Sequence, residues 1–295
     1  MSRMLANCLL LLAAALWGFG NVAQKTVLEH LDPFSAVGSR CLIGGLLVMP
    51  LLLMERRWRF GPGHRASLVR LSALFSIAIV LQQAAYLTTT VTNASFLVNT
   101  CTVMTPVAAW LVIGEKPTLV VAFAASLTLI GILLLSGGLS GTINSGDMAA
   151  LLSAVCYALW MVELSRHMQN YGGAVSTAIA QFLSCAIVAL PLGVLYGNFS
   201  LQSAWAAAPE LAVLGIFSTA VAFGIQTIAQ RFTPASHAAV IVSGESVFGA
   251  TGAVLFLGES LSVVAALGGT MVLVAIVYLA IAGQPREAAG PAAAS

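Results

Sequence analysis

The feature that most constrains this chain is a run of about 20 mostly apolar residues that recurs along its whole length. A helix needs about 20 such residues to cross roughly 30 Å of hydrocarbon. Ten stretches qualify: 4–25, 34–54, 67–88, 93–113, 118–137, 146–166, 173–196, 208–230, 235–257 and 261–282. Only 7% of the 295 residues are charged and 59% are hydrophobic, whereas soluble domains carry about 25% charged residues. A soluble globule with so few charges could not cover its own surface, so lipid is the expected solvent. The expected fold class is therefore an all-α integral membrane protein. Breaks such as His30-Leu31-Asp32-Pro33, Lys116-Pro117 and Gly172-Gly173 separate the runs. The links are short, which makes neighbouring helices antiparallel. The start, Arg3 followed by Leu5–Leu16, has the look of a signal peptide. Its apolar run continues past Trp17 towards Val22, so an uncleaved first helix is expected. Residues 284–295 read as a disordered cytoplasmic tail.

Orientation follows from Lys and Arg, which favour cytoplasmic loops. With the N-terminus cytoplasmic, ten of the 12 basic residues fall inside: Arg3, Arg56, Arg57, Arg59, Arg65, Arg70, Lys116, Arg166, Arg231 and Arg286. Lys25 lies near the outer side and Arg40 inside the second span. Both termini are thus expected in the cytoplasm of a bacterial-type inner membrane. The net charge of +2 gives no support to nucleic-acid binding. Five cysteines (Cys8, Cys41, Cys101, Cys156, Cys185) without CxxC spacing read as buried free thiols, so neither a disulfide frame nor a metal site is expected.

The two halves of the chain look alike. Ala15-Leu16-Trp17 matches Ala158-Leu159-Trp160, Pro50-Leu51 matches Pro191-Leu192, Asn93-Ala94-Ser95 matches Pro234-Ala235-Ser236, and Gly114-Glu115 matches Gly258-Glu259. The offsets are 143, 141, 141 and 144 residues. A unit of five helices ends on the side opposite to its start, so the second unit must insert upside down. The expected architecture is ten transmembrane helices as two inverted five-helix repeats around a central cavity, residues 1–140 and 141–283. Inverted repeats place substrate sites at the midplane, where the halves meet.

These residues carry a resemblance. Two five-helix halves, a Trp in the first helix of each and a Gly-Glu pair ending the fourth helix of each resemble the drug/metabolite transporter superfamily. The similarity is to its EamA-type ten-helix members, and among them most to the YddG-type exporters of aromatic and other neutral amino acids. The resemblance implies a central cavity, peripheral fifth and tenth helices, and efflux.

Polar groups inside hydrocarbon are costly and tend to face a partner or a wet cavity. Trp17 and Asn21 in the first span qualify as cavity candidates. So do Gln82 and Tyr86, which share a face at i and i+4, and Asn99, which pairs with Thr102 at i and i+3. The second half adds Tyr157 and Trp160 on one stripe, then Gln226 and Ser243. Pro106 lacks a backbone donor and is the expected hinge. Glu245 sits mid-span in the ninth run, where a lone carboxylate must be protonated, paired or wet. It is the candidate for proton coupling or for contact with a substrate ammonium. Glu163 is expected to pair with Arg166 or His167. Arg40 is expected to snorkel or to pair structurally, and His237 to cap or sit at an interface.

Other classes find little support. Gly138-Leu139-Ser140-Gly141 matches a Gly-x-Ser-Gly protease pattern, but it lies in a Gly-rich link without a matching His. There is neither HExxH nor Walker A, so no enzyme, metal or cofactor is expected. The first span has no acid between Met4 and Lys25, unlike the small multidrug antiporters. Arg40 and Lys25 are the only basic residues placed to neutralise a phosphate cargo. What remains is a neutral or zwitterionic solute with an apolar part, carried by a monomer in the lipid bilayer. The expected function is export of neutral, including aromatic, amino acids by alternating access. A drug or other metabolite exporter of the same fold and a passive channel are the alternatives.

Overall fold

A computed structural model describes residues 1–55, 61–137, 143–197, 199–257 and 260–282. Arg56, Arg57 and Arg59, the Gly138–Gly141 tetrapeptide, the Gly258-Glu259 pair, Arg286 and the 284–295 tail lie outside the described residues. Among the described residues the chain is helical throughout, with no β-strand.

Local chemistry starts the helices where polar residues interrupt the apolar runs. Ser2 caps α1 (Arg3–Thr26) by accepting from the Leu5 amide at 3.2 Å. Asp32 caps α2 (Pro33–Val48), accepting from the Phe34 and Ser35 amides, with Pro33 at the first helical position. Then follow α3 (His64–Ala85), α4 (Val91–Asn99), α5 (Cys101–Ile113) and α6 (Leu119–Leu135). The second half opens with α7 (Ser145–Asn170), started by a reciprocal Asn144/Asp147 capping box. It continues through α8 (Ala174–Tyr196), α9 (Leu201–Ala206) and α10 (Ala208–Ala212) into a π-helical stretch, Val213–Phe223, and α11 (Gly224–Ala229). In the π stretch the Thr219 hydroxyl donates to Leu214 O, five residues back, at 2.7 Å. Last come α12 (Ala235–Val242), α13 (Glu245–Leu257) and α14 (Val263–Ala282).

Among the described residues, eight helices are long and apolar enough to cross a membrane. The expected fifth span is the shorter apolar α6, of 17 residues. The expected ninth span is interrupted, as α12 and α13 on either side of Ser243-Gly244. The expected fourth span bends at Thr100, between α4 and α5. The two interruptions share a device. The Thr100 hydroxyl donates to Leu97 O and the Ser243 hydroxyl to Val240 O, both three residues back at 2.6 Å. A hydroxyl that takes a backbone carbonyl competes with the helical ladder and bends it. Pro106, the expected hinge, lies inside the continuous α5, six residues after the break at Thr100.

The most extensive contacts join helices from different halves: α2 with α8, α3 with α7, and α6 with α14. Small residues allow the closest approaches. At Gly131 an added Cβ would lie 2.7 Å from Gly268 O, so α6 and α14 touch backbone to backbone. The outer surface is apolar, with Leu53, Leu119 and Leu195 fully turned outward, while Arg40, Gln82, Gln83 and Gln226 are buried inside. The apolar core thus continues into an apolar surface, as a lipid solvent requires.

Polar layers tie the bundle at both ends. At the end that carries Arg3, the near end, Arg3 meets His237 (2.9 Å) and Thr233 donates to Asn7 (3.1 Å). There Ser67 and Arg70 both donate to Glu163 Oε1, at 2.7 and 2.9 Å. Arg166, expected as its partner, stands 4.0 Å from the other oxygen. At the far end Gln83 donates to Gln24 O (2.6 Å), Lys25 to Tyr86 O, and Thr89 to Asp147 (2.6 Å). The thiols are all free, but Cys8 is exposed on the outer surface and Cys156 is half-buried, which corrects the expectation that all five are buried.

Candidate functional site

Between these two layers the helices leave a cavity of ≈ 540 Å³ of empty space, its open mouth included. Its wall is drawn from seven membrane segments: Trp17 and Gln24 of α1, Arg40 of α2, Gln82 of α3, Asn99 and Cys101 at the α4–α5 bend, Tyr157 and Trp160 of α7, Ser218, Phe223 and Gln226 around the π stretch, and Val242 and Glu245 at the α12–α13 break. Both interrupted helices therefore meet the cavity at their interruptions. Near-end halves α5 and α12 pack together, with Thr102 Oγ1 3.4 Å from Ala239 O, whereas α4 and α13 barely touch.

One wall is aromatic. Trp17 and Phe223 stand 4.7 Å apart between ring centroids, Trp160 and Phe223 5.8 Å, and Tyr157 and Trp160 6.0 Å. Each polar handle on these rings is held. Trp17 Nε1 donates to Ser218 O (2.9 Å), Trp160 Nε1 to Gln181 Oε1 (2.6 Å) and Tyr157 Oη to Gln82 Oε1 (2.7 Å). Fixed rings present an apolar surface whose shape is set before a ligand arrives.

The rest of the wall carries charge and amides. Arg40 is only 2% exposed. Its Nε donates to Thr219 Oγ1 (2.9 Å) and its Nη2 to Ser218 Oγ (2.6 Å). Among the described residues no carboxylate lies within ion-pair distance of it. Glu245, the first residue of α13, is half-buried and accepts from Asn21 Nδ2 at 3.0 Å. Gln24 Nε2 in turn donates to Asn21 Oδ1 at 2.8 Å. At this level α1 and α13 nearly touch: a Cβ on Gly18 would sit 2.6 Å from Glu245 O.

The sequence candidates Trp17, Gln82, Asn99, Tyr157, Trp160, Gln226 and Glu245 all line this cavity. Asn21 stands behind Glu245, and Ser243 forms the break beside it; neither lines the space. Tyr86 is fully buried and also outside the lining; its carbonyl serves the far-end layer. Arg40, expected to snorkel or to pair structurally, points inward and is held by Thr219 and Ser218. Ser218 and Phe223 went unnoticed in the sequence, although Ser218-Thr219 is the one polar pair in the apolar run 213–223. A second, larger depression of ≈ 800 Å³ lies among Leu47, Leu51, Ile216, Val221 and Ile228. Its lining is wholly apolar and much of it is exposed, so nothing there would orient a solute.

Comparison with known proteins agrees with this geometry. The sequence profile described as the EamA-like transporter family matches residues 4–137 and 144–281. An uncharacterized transporter of Archaeoglobus fulgidus is 27% identical over 279 residues, covering 95% of this chain and 87% of that protein. Solute carrier family 35 member G1 of Mus musculus is 28% identical over 141 residues, 43% of this chain and 38% of that one. A solved crystal structure superposes with a TM-score of 0.76 at 16% identity, covering 94% of this chain and 96% of the other, which shows a shared fold.

Proposed function

The chain belongs to the EamA-like transporter family, and from that premise we propose that it exports neutral amino acids, aromatic ones included, or closely similar small metabolites, by alternating access. The observation that carries this reading is the central cavity, in which a fixed aromatic wall faces amides and two groups of opposite charge. An apolar side chain fits the rings, while Gln82, Asn99 and Gln226 offer hydrogen bonds to its polar end. Glu245 is the ionisable group that a proton or the cargo would meet. The direction of transport rests on the resemblance to exporters.

Ten crossings in two inverted halves, residues 1–140 and 141–283, belong to the same proposal. In its support, the family profile matches once in each half. α1 begins at the near end, whereas α7, its counterpart, ends there, with Glu163 against Ser67. The two helix breaks carry the same hydroxyl device at an offset of 143 residues. Arg3, Arg70 and Arg166 gather at the near end, which supports a cytoplasmic near end in an inner membrane. α5 packs on α12 at the near end more extensively than α4 on α13 at the far end, which supports an outward-facing form. Exchanging the packing of α5 on α12 for packing of α4 on α13, by bending at Thr100 and Ser243, would close it outside and open it inside.

The test is counterflow in proteoliposomes. Vesicles preloaded with unlabelled L-phenylalanine should transiently concentrate external labelled L-phenylalanine. Flux without saturation or overshoot would identify a passive channel, and absence of flux for every amino acid tried would remove the amino-acid reading.

A further inference from the structure

We propose that Arg40 and Glu245 form a two-pole site for a zwitterion, Arg40 taking the carboxylate and Glu245 the ammonium of one cargo molecule. This rests on the transport reading above and deepens it, since it requires both charged groups on the cargo.

Arg40 is the most unusual residue in the cavity. A guanidinium has five N–H donors, and only two are engaged, by the neutral hydroxyls of Thr219 and Ser218. These hydroxyls orient the fork but cannot neutralise it. A buried charge without a counter-charge is strongly unfavourable, so an anion entering the cavity gains more at Arg40 than at any amide. The planar fork also suits a carboxylate, which it can bind through two parallel hydrogen bonds.

Glu245 is oriented in a corresponding way. Asn21 donates to one oxygen and is itself held by Gln24, so the carboxylate is fixed from behind by neutral groups. Arg40 and Glu245 do not pair with each other, yet both face one cavity. The link between them runs through Trp17. Its indole donates to Ser218 O, beside the hydroxyl that holds Arg40, and Asn21 lies four residues, one turn, further along α1. An α-amino acid carries its ammonium and its carboxylate on one carbon, so a single molecule in this cavity presents an opposite charge to each pole. Trp17 and Phe223 then stand where the side chain of that amino acid projects. A zwitterion satisfies both poles with no net charge added, so the loaded cavity is neutral while it crosses the membrane. An amine leaves Arg40 bare, and an acid leaves Glu245 bare.

The experiment is a binding cycle on the full-length purified protein, read by tryptophan fluorescence, with three probes that share a phenyl ring. L-phenylalanine carries both charges, 2-phenylethylamine lacks the carboxylate, and 3-phenylpropionate lacks the ammonium. The wild type is expected to bind L-phenylalanine at least about 30-fold more tightly than either analogue. Arg40→Gln should weaken L-phenylalanine about 30-fold and leave 2-phenylethylamine within about 3-fold; Glu245→Gln should do the converse with 3-phenylpropionate. Arg40→Lys keeps the charge and guards against a fold defect: it should weaken L-phenylalanine about 3- to 10-fold and spare the amine. Equal losses for L-phenylalanine and 2-phenylethylamine in both Arg40 variants would make Arg40 structural and overturn the proposal. A wild type that binds all three alike would overturn it while leaving amino-acid transport standing. A wild type that binds none of the three would remove both.

Discussion

Gly18→Ala adds one methyl group to α1 and should cost more than its size suggests. The new Cβ would lie 2.6 Å from Glu245 O, 2.7 Å from Gly249 N and 2.7 Å from Phe248 Cβ. Two of these are backbone atoms and cannot swing away. Ordinary contact begins at 3.4 Å, so α1 and α13 must part by about 0.8 Å. The Asn21–Glu245 bond, now 3.0 Å, lies one turn away on the same interface. A similar displacement stretches it beyond hydrogen-bond range. Overpacking costs about 1–3 kcal/mol, and a lost bond to a charged group about 1.5–3 kcal/mol, so the expected destabilisation is about 2.5–6 kcal/mol. The control is two residues away. At Gly20 an added Cβ meets only Ser218 Cβ, at 3.9 Å, and Gly→Ala in a helix interior stabilises by up to about 1 kcal/mol. Reversible unfolding of both variants in mixed micelles, titrated with SDS, measures the difference, and binding of L-phenylalanine should fall for Gly18→Ala alone. If the two variants unfold within about 0.5 kcal/mol of each other, the close approach of α1 to α13 is wrong.

Three further outcomes follow from other contacts. Thr100→Val and Ser243→Ala, singly, remove the hydroxyls that bend the two interrupted helices; counterflow should fall about tenfold, or ~1.4 kcal/mol on the barrier, with unfolding midpoints nearly unchanged. Gly131→Val forces α6 off α14 at Gly268 O and should destabilise by about 1–3 kcal/mol, while the KM for counterflow stays at the wild-type value because neither helix lines the cavity. Glu163→Gln removes the charge on the acceptor that Ser67 and half-exposed Arg70 share and should destabilise by about 1 kcal/mol. Arg166→Ala, at 4.0 Å and half-exposed, should change unfolding by less than about 0.5 kcal/mol.

Most of the helical frame was legible in the apolar runs, because lipid demands about 20 apolar residues per crossing and little else. What the runs hide is the direction in which a residue faces. Arg40 lies two turns into a span, and depth alone suggested that its head would reach outward; only the packing of α2 against the π stretch shows Ser218 and Thr219 waiting for it. Tyr86 shares a helical face with Gln82, yet it falls at the end of α3, where the chain turns into the far-end layer. Proline is a visible signal in a sequence, whereas the interruptions at Thr100 and Ser243 coincide with bonds to carbonyls three residues back, which a sequence does not display. Trp17 and Trp160 were found because their repetition at a fixed offset marks equivalent places in the two halves.

The winding of residues 213–223 has a consequence for how such a cavity changes over time. A π ladder skips one residue more than an α ladder at each bond. Deleting a single residue there would let the ordinary ladder close, while the helix beyond, with Gln226, keeps its facing. Only the stretch itself would be re-aimed, and the guanidinium of Arg40 would lose one of the two neighbouring hydroxyls that grip it. A point substitution edits one side chain, but loss or gain of one codon in this stretch re-aims the part of the wall that holds Arg40. Among kindred chains, cargo preference should therefore track the length of this segment as closely as it tracks the identity of any single residue.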